Sequence, residues 1–388
     1  MYQSRIDRAI VEKDAGRPPD SRCRQGDMEI GIIGLPKSGK TTLFNSLTKG
    51  KAQTGAFGST TLEPNIGVTK VPDPRLEGLQ AIFDPKRTIP AEVKYVDVAV
   101  SKSKGKGPGG ELLAYLGRVD AFIHVVRAFS DESIPHSEGD IDPARDVDIM
   151  NMELAFSDLA IIERRLLRIG DSLKGAKPME RETLVQEQAL LSRIGSAIEQ
   201  EVPVREQTLT REEAKMVENY QFLTAKPLLI VLNIGEDQLP QASLLEEDLK
   251  SRYPRFQVAA ICAKLEMELS ELSQVEADEF RSAMGVGEAA TDRIIKLSYE
   301  LLGLISFFTI ASGEVRAWTI RRDTLAPKAA GKVHADMERG FIRAEVVPYA
   351  DLTQCGGLPE ARKQGLLRLE GKSYVVQDGD VITFLFNI

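Results

Sequence analysis

The run Gly34-Leu35-Pro36-Lys37-Ser38-Gly39-Lys40-Thr41 has the spacing G-x-x-x-x-G-K-[ST]. In that spacing backbone amides, an ammonium and a hydroxyl converge on phosphate. Each residue type has a physical task. Glycine lets the backbone curl until its N–H groups point at phosphate oxygens. A helix beginning at Lys40-Thr41-Thr42 adds partial positive charge at its N-terminus. Lys40 is expected to reach the β- and γ-phosphates, and the Thr41 hydroxyl to ligate Mg²⁺. The chemistry implied is the binding of a nucleoside triphosphate, ATP or GTP, and transfer of its terminal phosphoryl group.

These residues need a scaffold, and the neighbouring sequence supplies one. Glu29–Ile33 is a short apolar strand leading into the loop. Lys94-Tyr95-Val96-Asp97 is a second, ending in an acid placed to hold Mg²⁺ through a water. Residues 122–127, 227–233 and 258–261 are further continuous apolar runs. Such runs alternating with helices predict a mostly parallel sheet covered on both faces. Ligands bind at the carboxyl ends of such strands. Asp97, Asn233-Ile234-Gly235-Glu236 and Cys262-Ala263-Lys264 all fall there.

Between the strands of His124 and Asn233 the pattern changes. Ile149, Met152, Phe156, Leu159, Ile162, Leu166, Ile169 and Leu173 recur in steps of three and four, a helical seam. After a break near 170–178, Leu184, Leu191, Ile194 and Ile198 continue it. Two helices joined by a turn predict an antiparallel coiled-coil hairpin inserted into the core. Its seam is expected to pack helix on helix, leaving Arg164, Arg165 and Arg168 for a partner. From about Ile305 short strands alternate with turns, as at 317–320, 375–376 and 381–384.

Composition narrows the classes. No apolar run approaches the roughly 20 residues of a membrane span, so no membrane role is expected. The three cysteines are far apart and the three histidines unclustered. That argues against a disulfide framework or zinc site and fits a cytoplasmic location. A net charge of −8 means that any RNA contact needs a local basic face. Arg316, Arg321, Arg322, Lys328, Lys332, Arg339 and Arg343 are the candidates, against the alternative of a solvated mixed surface.

The chain resembles the YchF family of Obg-like ATPases, within the translation-factor class of P-loop NTPases. Besides the phosphate loop, the resemblance rests on several segments. Thr60-Thr61-Leu62-Glu63-Pro64-Asn65-Ile66-Gly67-Val68 looks like the family's switch I, followed by Val71-Pro72-Asp73-Pro74-Arg75-Leu76. Asn233-Ile234-Gly235-Glu236 matches its N-x-x-E, and Cys262-Ala263-Lys264 its base-backing loop. Glu314–Ile320, Gly340–Glu345 and Asp378–Val381 look like its TGS domain, a β-grasp, ubiquitin-like module.

The resemblance implies slow hydrolysis of ATP, a preference for ATP over GTP, and association with the ribosome or RNA through the TGS domain and helical arm. A monomer is expected. Thr61 is expected to close over the γ-phosphate and join Thr41 and Asp97 around Mg²⁺. A guanine-reading N-K-x-D would carry an aspartate where Glu236 stands, so guanine specificity is expected to weaken. Asn233 is expected nearest the adenine edge. Glu236 has a second reading, as a helix N-terminal charge.

Three departures from the family bear on mechanism. Val100 replaces the glycine of D-x-x-G, and the switch II around it is shortened. Lys37 stands where many relatives carry a potassium-recruiting asparagine. Either its ammonium takes over the ion's catalytic charge, or it is a solvated loop lysine. The alternatives to a slow ATPase are a nucleotide-gated ribosome- or RNA-binding module with negligible hydrolysis, and a conventional GTPase.

The expected organisation is a flexible extension over 1–27, a P-loop NTPase domain over 28–145 and 218–304, the helical hairpin over 146–217, and the TGS domain over 305–388.

Overall fold

The computed structural model describes residues 28–50, 64–97, 115–284, 287–311 and 313–387. Its principal elements run β1 (Glu29–Ile33), α1 (Lys40–Thr48), β2 (Asn65–Lys70), α2 (Pro74–Phe83), β3 (Arg87–Ile89), β4 (Glu92–Asp97) and β5 (Ala121–Arg127). Then come the long helices α3 (Pro143–Ser172) and α4 (Pro178–Glu199), β6 (Leu228–Asn233), α5 (Ala242–Arg252), β7 (Gln257–Ile261), α6 (Ala263–Leu269), α7 (Gln274–Ala283) and α8 (Ala290–Leu301). The chain closes with β8 (Leu304–Ala311), β9 (Glu314–Arg321), α9 (Ala326–Val333), β10 (Phe341–Pro348), β11 (Arg368–Glu370) and β12 (Asp380–Phe386). Two compact units divide these elements. One comprises 28–67 and 94–294, and the other holds 68–93 and 295–388.

The first unit is built on a six-stranded sheet of order β2-β4-β1-β5-β6-β7. The pairs from β4 to β7 are parallel. Every residue of β5 and β6 is buried, the signature of strands covered on both faces. The register Arg127↔Asn233↔Ile261 brings three strand ends to one edge.

α3 starts at Pro143, with the Asp142 carboxylate accepting the Arg145 N–H as an N-cap. It runs 30 residues. α4 also opens on proline and returns antiparallel. Ile162, Ile169, Leu191, Ile194 and Ile198 form the core between them.

The predicted seam holds only in the distal half of α3. Met152 and Phe156 are 51% and 62% exposed, while Leu154 and Asp158 are buried. The cause is a change of partner along the helix. Val147 and Leu154 join the core of the sheet, and only later does the helix face α4. Arg165 is likewise not free. Its guanidinium forks onto Glu187 at 2.7 Å through both Nε and Nη2, and Nε also donates to Tyr220.

The second unit is a six-stranded sheet of order β11-β10-β12-β8-β9-β3. Its central strands β8 and β12 are parallel, and each is flanked by an antiparallel partner. α9 lays Ala326, Ala329 and Ala330 on Ile305, Phe307, Ile320 and Phe384. This is the β-grasp order, with one strand added.

The added strand, β3, pairs parallel to β9 and comes from the segment 68–93. Sequence reading placed that segment in the NTPase domain. Here Arg75 donates to both Asp73 and Asp378, and its guanidinium lies 5.2 Å from the Phe308 ring centre. The basic side chains of this unit are largely engaged as well. Lys328 pairs with Glu338 and Arg339 with Asp336, and Arg316 lies 3.9 Å over Trp318.

Candidate nucleotide site

The phosphate loop sits between β1 and α1, and two of its glycines are dictated by close approach. Gly34 has φ 152°, and a Cβ there would lie 2.4 Å from the Val125 carbonyl oxygen. Gly39 has φ 93°, and its Cβ would lie 2.2 Å from Asn233 Nδ2. Gly39 is the N-cap of α1 and brings no side chain, so the first-turn amides stay open toward the loop. Leu35 is buried and Pro36 half-buried, which anchors the loop from below. The Ser38 hydroxyl is buried without a partner among the described residues.

Lys40 folds back over the loop. Its ammonium donates to the Gly34 and Leu35 carbonyls at 3.0 and 2.8 Å. Burial pushes its pKa down to about 8, and the nearby Asp97 carboxylate opposes the shift. His124, in β5, is wholly buried, and among the described residues neither ring nitrogen has a partner. Burial, reinforced by the Lys40 charge, pushes it down to about 3, so it is neutral.

Asp97 closes β4 with only 2% of its surface exposed. Its Oδ2 accepts from the Thr41 hydroxyl at 2.9 Å, and among the described residues its Oδ1 has no partner. A buried carboxylate oxygen left open beside a threonine hydroxyl suits Mg²⁺, a hard ion that takes one or two protein oxygens together with phosphates. Thr42 is half-buried in the same helical turn.

The base-side loops meet at the same edge. Asn233 is buried and uses both ends of its amide: Nδ2 donates to the Ser38 carbonyl at 3.0 Å, and Oδ1 accepts the Ala263 N–H at 3.1 Å. It therefore ties the phosphate loop to the Cys262-Ala263-Lys264 loop. The Ala128 and Phe129 N–H groups both bond its carbonyl. Ile234 points into the core, and its N–H bonds the Ile261 carbonyl. Glu236 is exposed and stands 3.9 Å from Lys264. Cys262 is buried, and burial raises its thiol pKa, consistent with a packing residue.

Lys37 sits at φ 64°, in the left-handed region. Its ammonium reaches the Pro135 carbonyl at 3.4 Å. Thr61 and the switch II segment that includes Val100 lie outside the described residues.

Sequence reasoning missed Arg127. It ends β5 with only 2% of its surface exposed, and burial lowers its pKa. Its Nε donates to the Phe129 carbonyl, and its guanidinium lies 4.4 Å from the Phe129 ring centre. A cation at the end of an otherwise apolar strand was the available signal. Gln238 was missed too. It accepts the Gly235 N–H and donates to the Ala128 carbonyl, joining two of the loops.

Comparison with known proteins adds the lineage. Residues 29–157 match the family described as 50S ribosome-binding GTPase. Residues 304–387 match YchF-GTPase_C, described as a protein of unknown function (DUF933). Ribosome-binding ATPase YchF of Bacillus subtilis is 43% identical over 93% of this chain and 100% of its own. The protein of the same name from Haemophilus influenzae is 40% identical over 93% and 99%. The solved structure of the Schizosaccharomyces pombe YchF GTPase covers 95% of this chain and 99% of its own, at 30% identity and a TM-score of 0.81. With identity of this order spread over nearly the whole length, and the phosphate loop, Asp97 and Asn233 gathered at one sheet edge, the chain belongs to the YchF family of P-loop NTPases.

Proposed function

We propose that this protein is a cytoplasmic, monomeric, Mg²⁺-dependent purine nucleotide switch that hydrolyses ATP slowly, prefers it to GTP and associates with the ribosome. The observation that carries the reading is the arrangement of Lys40, Thr41 and the open Oδ1 of Asp97 beside the base-side loops. The loop amides and Lys40 bind the phosphates. Thr41 and Asp97 hold Mg²⁺, which when bound offsets charge on the β- and γ-phosphates. Thr61 is the proposed lid over the γ-phosphate, and Lys37 a fixed cation beside it.

ATP preference is supported by Glu236. It stands where guanine readers carry aspartate, and it already faces the Lys264 ammonium. Asn233 acts here by holding the phosphate and base loops together. The ribosomal association rests on the names of the relatives. Those names divide between ATPase and GTPase, so a conventional GTPase is the second reading.

Calorimetric titration with ATP, GTP and their diphosphates, alongside steady-state hydrolysis, tests the proposal. ATP should bind more tightly than GTP, and Lys40→Ala should abolish triphosphate binding while the fold persists. Tighter GTP binding by the parent would establish the second reading. ATP binding with no measurable turnover would leave a nucleotide-gated binding module.

A further inference from the structure

Residues 265–284 carry six carboxylates against one guanidinium, a net charge of −5 within a chain whose total is −8. With Lys264 counted, α6, α7 and the turn between them hold −4, half of the chain's excess negative charge. The same stretch exposes large apolar side chains: Leu272 at 45%, Val275 at 67%, Phe280 at 43% and Met284 at 45%. A single exposed leucine is unremarkable, but four such side chains within thirteen residues need an explanation.

Helical geometry explains how they lie. α7 is fixed by a capping box, in which Ser273 accepts the Glu276 N–H and Glu276 accepts from Ser273. Ala277 and Arg281 turn inward. Ala277 joins the core, and Arg281 pairs with the buried Glu266 at 3.1 Å. Glu276 and Phe280 lie one turn apart on an outer line that leads to Met284, and Val275 and Glu279 share the neighbouring line. The outer face thus interleaves apolar and acidic groups. Phe280 and Met284 also border a cavity of about 290 Å³, lined further by Leu239, Leu265 and Leu269. An apolar side chain presented from outside has somewhere to go.

We propose that this face of α6–α7 is a docking surface for a lysine- and arginine-rich amphipathic segment of another protein. The apolar groups and the cavity take the partner's apolar side chains, as in helix-in-groove recognition. The rim of Glu271, Glu276 and Glu279 takes its cations and steers approach. The same charge repels nucleic acid, so the occupant is protein and not RNA.

The test uses the full chain and a short fluorescent peptide of leucine and lysine at helical spacing. The parent should bind it, more weakly as salt rises. Glu271→Lys with Glu279→Lys should weaken binding about tenfold or more. Val275→Ser with Phe280→Ser should weaken it similarly by removing the anchors. Glu153→Lys with Glu163→Lys, exposed on α3, changes the net charge equally and should leave binding within about twofold of the parent, since screening confines charge effects to their neighbourhood. All variants should retain ATP binding and cooperative unfolding. The proposal is overturned if the parent does not bind the peptide, if the α3 variant weakens binding as much as the α7 variants, or if an oligoribonucleotide displaces the peptide from the parent.

Discussion

Lys40 carries the charge the site depends on, and it carries it at a cost. Its pKa near 8 is below the ordinary 10.5 because burial disfavours the ammonium. Between about pH 8 and 10.5 the unfolded chain keeps a proton that the folded chain has lost. Stability should therefore rise with pH across that window. Below it both states are protonated and the burial cost is fully present. A triphosphate restores the charged form. ATP binding should accordingly take up a proton above pH 8 and weaken by up to about tenfold between pH 8 and 9. Titration in buffers of different ionisation heat measures the uptake; no proton linkage in this range would mean that Lys40 is not the group bound.

Lys37 makes a second prediction at this scale, because a left-handed φ strains a lysine and suits glycine or asparagine. Lys37→Gly should stabilise the protein by up to about 1 kcal/mol in denaturant unfolding. If the Lys37 ammonium supplies charge at the phosphates, the parent should hydrolyse ATP equally fast in sodium and potassium. Lys37→Asn should then slow in sodium and gain potassium dependence. Strong potassium activation of the parent would assign Lys37 to the loop alone, held by Pro135.

The phosphate-binding residues were legible because their meaning is local: eight consecutive positions and the strand before them. Asn233 was legible only in part. Its position at a strand end followed from the pattern, but its bonds to Ser38 and Ala263 join residues far apart in the chain. No spacing encodes that.

Among the elements, α3 shows how periodicity misleads when a helix changes neighbours. One seam was predicted, but the burial pattern is two half-seams. Ile162→Ala, between the helices, should cost about 2–5 kcal/mol, whereas the solvent-facing Phe156→Ser should fall within about 0.5 kcal/mol of the parent. Thermal and denaturant unfolding measure both; a large loss at Phe156 would restore the single seam. Asp158, wholly buried, accepts the N–H groups of Leu223 and Thr224 and the Thr224 hydroxyl, all at 2.7–2.8 Å. Its position inside an apolar stripe gave no sign of this, because its partners lie 65 and 66 residues later.

For the whole molecule, the parallel sheet, the inserted hairpin and the β-grasp module could all be anticipated. The allegiance of residues 68–93 could not. β3 is three residues long, and nothing in Arg87-Thr88-Ile89 points to a partner more than two hundred positions away. Its contribution should nonetheless be measurable. A fragment of residues 295–388 alone presents β9 as an open edge, and exposed edges pair with other chains. It should be less stable and more prone to associate than the same fragment fused to residues 68–93. Sedimentation and unfolding of the two decide this, and equal behaviour would make β3 ornamental.

That same pairing sets a clock on the chain's synthesis. β3 leaves the ribosome well before β9, the strand it pairs with, which begins at Glu314. At about 5–20 residues per second the interval is roughly 10–50 s. Closing a loop of ten residues takes well under a microsecond, so diffusion is not what delays the contact. For that interval the segment is a strand without a sheet. The second unit is thus the last part of the protein to reach its native form, although one of its strands is among the first to be made.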